Sequence, residues 1–125
     1  MFNIVRIGDK AVPMLSKASI DNVFFNIFHE DPLRVQVDCA KDSDDPDIPR
    51  VFDFYKKMGF VMAKFAEVKE SKLMNQFNEE TYYEWLDEFE REDLTEALED
   101  IRATYEGQSI TKAVAKKKSD EPTDE

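Results

Sequence analysis

The chain has 125 residues, the length of one ordinary domain, and its ten Phe, four Tyr and one Trp within a 42% hydrophobic composition supply a core. Acidic side chains outnumber basic ones 28 to 17, for a net charge of −11. A field of that sign repels phosphate and anionic lipid, which argues against nucleic acid and membrane surfaces and for a basic or apolar protein partner.

Ile4-Val5-Arg6-Ile7 and Lys10-Ala11-Val12-Pro13-Met14 flank Gly8-Asp9, and Gly-Asp between two β-prone runs predicts a two-residue hairpin turn. Pro13 has no N–H to give to a ladder, so its strand belongs at an edge or near its end. Ser19 is the expected cap of a first helix. Ile20, Val23, Phe24, Ile27 and Phe28 follow at the three-and-four spacing of one helical face. That helix stops by Asp31, because Pro32 disfavours helical backbone at the residue before it. Leu33, Val35 and Val37 alternate with Arg34 and Gln36, which reads as a short third strand.

Ala40 to Pro49 reads as an acidic, turn-rich connector. A second helix is expected from about Arg50 to Val68, with Val51, Tyr55, Met58, Met62 and Phe65 on one side, Phe54 and Val61 beside them, and Gly59 inside it. A mid-helix glycine costs ~1 kcal/mol relative to alanine, so Gly59 points to close packing or a bend. A third helix from about Glu79 to Phe89, capped by Asn78, presents Tyr82, Trp85, Leu86 and Phe89. A fourth from about Asp93 to Glu106 presents Leu94, Ala97, Leu98, Ile101 and Tyr105, with Asp93 and Glu96 at capping-box spacing and Gly107 as its stop. The fold expected is therefore α+β and mostly α: an N-terminal hairpin packed on about four helices over residues 1–107. Residues 108–125 carry few large apolar side chains, with Lys116, Lys117 and Lys118 followed by an acidic end, and are expected to be a disordered tail.

Few residues offer chemistry. His29 is the only histidine and falls where the first helix ends, which favours a capping role over a catalytic one. Cys39 is the only cysteine, so no internal disulfide forms, and nothing beside it in sequence activates a thiolate. A Cys/His zinc site lacks ligands. The acidic run Asp42-Ser43-Asp44-Asp45-Pro46-Asp47 fails the calcium-loop pattern: the sixth position is Asp47 where glycine is required, and the twelfth is Asp53 where glutamate is required. Glu67-x-x-Glu70 and Glu84-x-x-Asp87 resemble the paired carboxylates of the all-helical nucleoside triphosphate pyrophosphohydrolases, in which facing carboxylates hold Mg²⁺ against a pyrophosphate. Among so many acids such spacings arise by chance. An acidic mimic of DNA would rest on net charge alone. The aromatic run Tyr82-Tyr83-Glu84-Trp85-Leu86 is either a binding anchor or core, with core favoured for Trp85 and Leu86, and adjacent Tyr82 and Tyr83 diverge so that one faces outward.

The order of these parts resembles the tail assembly chaperones of long-tailed bacteriophages. The resemblance rests on the hairpin Val5–Met14 leading to a helix that closes near Phe28-His29-Glu30-Asp31, on the acidic helical segment Trp85–Ile101, and on a tail that turns lysine-rich at Lys116–Lys118. The stretch from Val35 to Asp47 departs from the family pattern. The resemblance implies a protein without catalytic residues, cofactor or metal. Such a protein binds and solubilises the tape measure protein, helps recruit tail tube subunits, works in the host cytoplasm and is absent from the finished virion. It also implies a longer product of ribosomal frameshifting, with Lys116, Lys117 and Lys118 as the candidate slippery region. The partner-binding surface expected on this reading comprises Tyr82, Tyr83, Trp85, Phe89, Leu94 and Leu98. The apolar stripes of the helices would shield another chain's apolar surface while surplus carboxylates keep the pair dissolved, and self-association is compatible with such stripes.

Overall fold

The computed structural model describes residues 1–40 and 48–107. Strand β1 (Phe2–Ile7) and strand β2 (Lys10–Leu15) form an antiparallel hairpin, followed by helices α1 (Ile20–Phe28), α2 (Pro32–Ala40), α3 (Ile48–Val68), α4 (Glu79–Leu86) and α5 (Arg91–Tyr105). A short 3-10 helix, Ser71–Gln76, joins α3 to α4. The α+β, mostly helical architecture read from the sequence is thus the one observed. The predicted tail, with Lys116 to Lys118, and the acidic run 42–47 lie outside the described residues.

The hairpin has the two-residue turn that Gly-Asp predicts. Ile7 pairs with Lys10 and Phe2 with Leu15, and Gly8 takes a positive φ of 65°. Glycine is favoured there by its positive φ, and a β-carbon would also displace the Asp93 carboxylate of α5, which stands 2.5 Å from that position. The tip is fastened further by Lys10, whose Nζ donates to the Glu88 carbonyl at 2.9 Å and lies over the Phe89 ring.

Helix α3 is the central element. It touches β2, α5, α1, α2, α4 and the 3-10 helix. Its second half is therefore buried on nearly every side: Met58, Gly59, Phe60, Val61, Met62, Ala63 and Phe65 are all core. A single-face reading of α3 leaves out Phe60, which is fully buried within ring-contact distance of Phe28, Phe77, Tyr82 and Trp85. Where α3 passes α5, a β-carbon on Gly59 would stand 2.9 Å from Ile101 Cδ1. The expected close packing is real, and it is what the glycine permits.

Two local expectations fail. The third strand is instead helix α2. The alternation Leu33, Val35, Val37 suggested a strand, but Pro32 occupies the first helical turn, where its missing N–H costs nothing. Asp31 serves that end as well, its Oδ1 accepting from the Leu33 N–H at 3.0 Å. The capping box predicted at Asp93 and Glu96 is absent, because α5 starts earlier with Glu90 at the cap position. A capping box does form at Asn78, the predicted cap of α4. The Thr81 N–H donates to Asn78 Oδ1 at 3.0 Å and the Asn78 N–H to Thr81 Oγ1 at 2.7 Å, an arrangement worth ~1 kcal/mol.

Two tyrosines tie the helices together, half-buried Tyr105 by its hydroxyl and buried Tyr82 by its ring. Tyr105 on α5 donates to Asp21 Oδ1 on α1 at 2.7 Å and accepts from Gln36 Nε2 on α2 at 3.1 Å. Tyr82 packs between Phe28 and Phe60. Burial raises the pKa of both, reinforced by the hydrogen bond to Asp21 for Tyr105 and by the charge of Asp53 for Tyr82. The folded chain therefore keeps protons that the unfolded chain releases once the pH passes the ordinary tyrosine value of 10.0. The stability these groups contribute is complete below that pH and is lost above it, so the urea midpoint is expected to fall between about pH 9 and about pH 11, and an unchanged midpoint would contradict this coupling.

Candidate binding surface

Most residues expected to contact a partner are core. Tyr82, Trp85, Leu94 and Leu98 are buried, and Phe89 is half-buried with its ring 5.0 Å from that of Trp85. Tyr83 alone of that set faces outward, at 61% exposure. The same holds for the stripe of α1, where Ile20, Val23, Phe24, Ile27 and Phe28 are all buried. Helical apolar stripes thus line this chain's own core. The helical period locates an apolar face but does not say whose core it joins.

The carboxylates of the pyrophosphohydrolase-like pattern do not converge. Glu67 pairs with Lys64 at 3.3 Å and Glu70 with Lys72 at 3.6 Å. Among the described residues no three His, Cys, Asp or Glu side chains are grouped to hold a metal ion. His29 is the C-terminal cap of α1, in the left-handed conformation at φ 59°, with its backbone N–H on the Phe25 carbonyl at 2.7 Å. Among the described residues no helix is long and apolar enough to cross a membrane.

Exposed apolar side chains lie elsewhere, and one group of them stands on the outer face of the hairpin. Along β1 exposure alternates strictly: Asn3, Val5 and Ile7 point inward, while Phe2, Ile4 and Arg6 point outward. The register sets Phe2 opposite Leu15, Ile4 opposite Pro13 and Arg6 opposite Ala11. Directly opposed residues share a face with β-carbons ~5 Å apart, so Phe2, Ile4 and Pro13 form one exposed block, bordered by half-buried Leu15, which also packs against the core. Phe2 is 54% exposed and Ile4 53%, with Met1 beside them also exposed. The inner face of the same ribbon is covered by the chain itself, α5 against β1 and α3 against β2. An antiparallel ribbon with one solvated face ordinarily turns polar residues to water, and this one does not.

The ends of the block carry positive charge. Arg6 stands on the outward face toward the turn and makes no ion pair among the described residues. At the open end the Met1 ammonium donates to the Ser16 carbonyl at 2.6 Å, next to exposed Lys17. Residues 1–18 hold Arg6, Lys10 and Lys17 against Asp9 alone, a net +2, so the remainder of the chain carries −13 of the overall −11.

Comparison with known protein families, curated proteins and solved structures finds no match to this chain. The surface therefore stands on its own geometry. A signal for it was present in the sequence: Phe2 and Ile4 alternate with Val5 and Ile7 so that both faces of β1 are apolar, the pattern of a strand covered on both sides. Smaller exposed pairs occur one helical turn apart, Leu33 with Val37 on α2 and Ile48 with Phe52 on α3.

Proposed function

We propose that this protein is a tail assembly chaperone that binds the tape measure protein, keeps it soluble before assembly and helps bring tail tube subunits to it. The observation that carries this reading is an uncovered apolar hairpin face on an otherwise acid-coated helical body. Such a molecule protects a partner's apolar surface at one place and supplies charge for solubility everywhere else. The ordered resemblance of hairpin, acidic helical segment and lysine-rich tail supplies the family, and the hairpin face supplies the working surface that the buried helical stripes do not. The test is co-expression with the tape measure protein of the same phage. The expected result is a soluble complex that co-purifies, together with more soluble tape measure protein than without the chaperone. An unchanged soluble fraction and no complex would refute the proposal.

A further inference from the structure

Resting on that reading, we infer that the outer face of the hairpin docks an amphipathic helix of the partner whose apolar stripe is bordered by acidic side chains. The occupant is a helix because the chain already shows how this ribbon is covered: its inner face is packed by α3 and α5. The dimensions agree. Strands of six residues run about 20 Å at ~3.3 Å per residue, which matches about 13 residues of helix at ~1.5 Å rise.

The sign of the border comes from the groups at the two ends of the apolar block. Arg6 lies at one end and exposed Lys17 at the other. Asp9, in the turn, is the one acid of this segment, and Lys10 is held away on the Glu88 carbonyl. Asp93 approaches the turn at Gly8 from α5. Net charge argues the opposite way, for a basic partner, but over a short range it does not decide. Exposed charges more than ~8 Å away are largely screened at physiological ionic strength, so a docked helix responds chiefly to the groups around its own footprint. Phe2 and Ile4 supply the contact, while Arg6 and Lys17 select and orient the helix.

Two synthetic peptides of about 20 residues, long enough to hold a helix in water, test this with the full chain. They share one apolar stripe and differ only in bearing Glu or Lys along its borders. Titration by fluorescence anisotropy is expected to give micromolar binding of the acidic-bordered peptide and roughly tenfold weaker binding of the basic-bordered one, the ratio that one or two favourable charge contacts produce. Arg6→Glu should narrow or invert that preference. The pair Phe2→Ser and Ile4→Ser should weaken both peptides by roughly tenfold or more at an unchanged circular dichroism spectrum. Equal affinities, a preference for the basic peptide, or binding indifferent to Phe2→Ser and Ile4→Ser would overturn the inference. So would sedimentation showing a dimer that these substitutions dissociate, because the occupant would then be a second copy of this chain. A tape measure complex that forms regardless of these substitutions refutes the docking face and leaves the chaperone role standing. Peptide binding as described, without a tape measure complex, does the reverse.

Discussion

Phe60→Ala is expected to lower the unfolding free energy by about 3–5 kcal/mol. Phe60 is fully buried at the middle of α3, with ring centroids 6.1 Å from Phe28, 6.2 Å from Phe77, 5.4 Å from Tyr82 and 5.9 Å from Trp85. These rings come from α1, α4 and the segment between the 3-10 helix and α4, so no one element can shift to fill the space. The loss therefore combines the transfer term of the missing ring with a cavity bounded by aromatic edges. Small domains have only about 5–15 kcal/mol of stability, so the variant sits near its unfolding threshold at ambient temperature. Urea denaturation followed by circular dichroism measures the change. A loss below ~1 kcal/mol would mean that the rings collapse into the gap and that Phe60 is not the hub of the core.

Gly59 gives the second large effect, with a sign that depends on side-chain size. Gly59→Ala removes a helix-interior glycine, worth ~1 kcal/mol in favour of the folded state. It also brings a β-carbon to 2.9 Å from Ile101 Cδ1, and Ile101 is itself fully buried. The tip of Ile101 must move by a few tenths of an ångström, and the two terms nearly offset. Gly59→Leu has no such remedy. Its branch enters the α3–α5 contact and forces the helices apart, and overpacking of this kind costs roughly 1–3 kcal/mol, occasionally more. Alanine close to the parent protein and leucine well below it is the expected pair of results in the same denaturation experiment. Equal tolerance of both would show that α5 does not depend on close approach at Gly59.

The parts legible in the sequence are those in which local chemistry and tertiary packing agree. Gly8-Asp9 fixes the hairpin because few residues but glycine accept the positive φ of that turn. The stripe Ile20, Val23, Phe24, Ile27, Phe28 reads correctly because α1 lies at the surface and buries one face. The reading weakens where these conditions lapse. At Leu33–Val37 five residues satisfy strand alternation, yet Pro32 in the first turn and the Asp31 side chain on the Leu33 N–H start a helix. In α3 the single-face assumption drops Phe60, because the second half of this helix is packed by neighbours on nearly every side and its polar face no longer defines a period. The residues expected to meet a partner show a related effect. A stripe through Tyr82, Trp85, Leu94 and Leu98 is equally consistent with core and interface, and in this chain it is core. Phe2 and Ile4 escape notice because a strand apolar on both faces resembles any buried strand until the structure shows that, among the described residues, no element covers the second face.

The charge distribution follows the same division. Salt bridges such as Lys57 with Glu30 and Asp53, and Arg102 with Glu99 and Glu106, run along or between helices. They are partly exposed, and each is worth little for stability. Most of the acid excess is left solvated on the helical body, whereas the hairpin carries the opposite sign around an apolar centre. That separation suits a protein that must stay dissolved while holding something that would not.

The measurement that bears most directly on this account is the soluble yield of tape measure protein co-expressed with the chain carrying Phe2→Asp and Ile4→Asp, compared with the unaltered chain. The account predicts that the variant folds normally, since both side chains point to water, yet the tape measure protein falls to the yield seen with no chaperone. Full solubilisation by the variant would contradict it, because the outer face of the hairpin would then not be the surface that works.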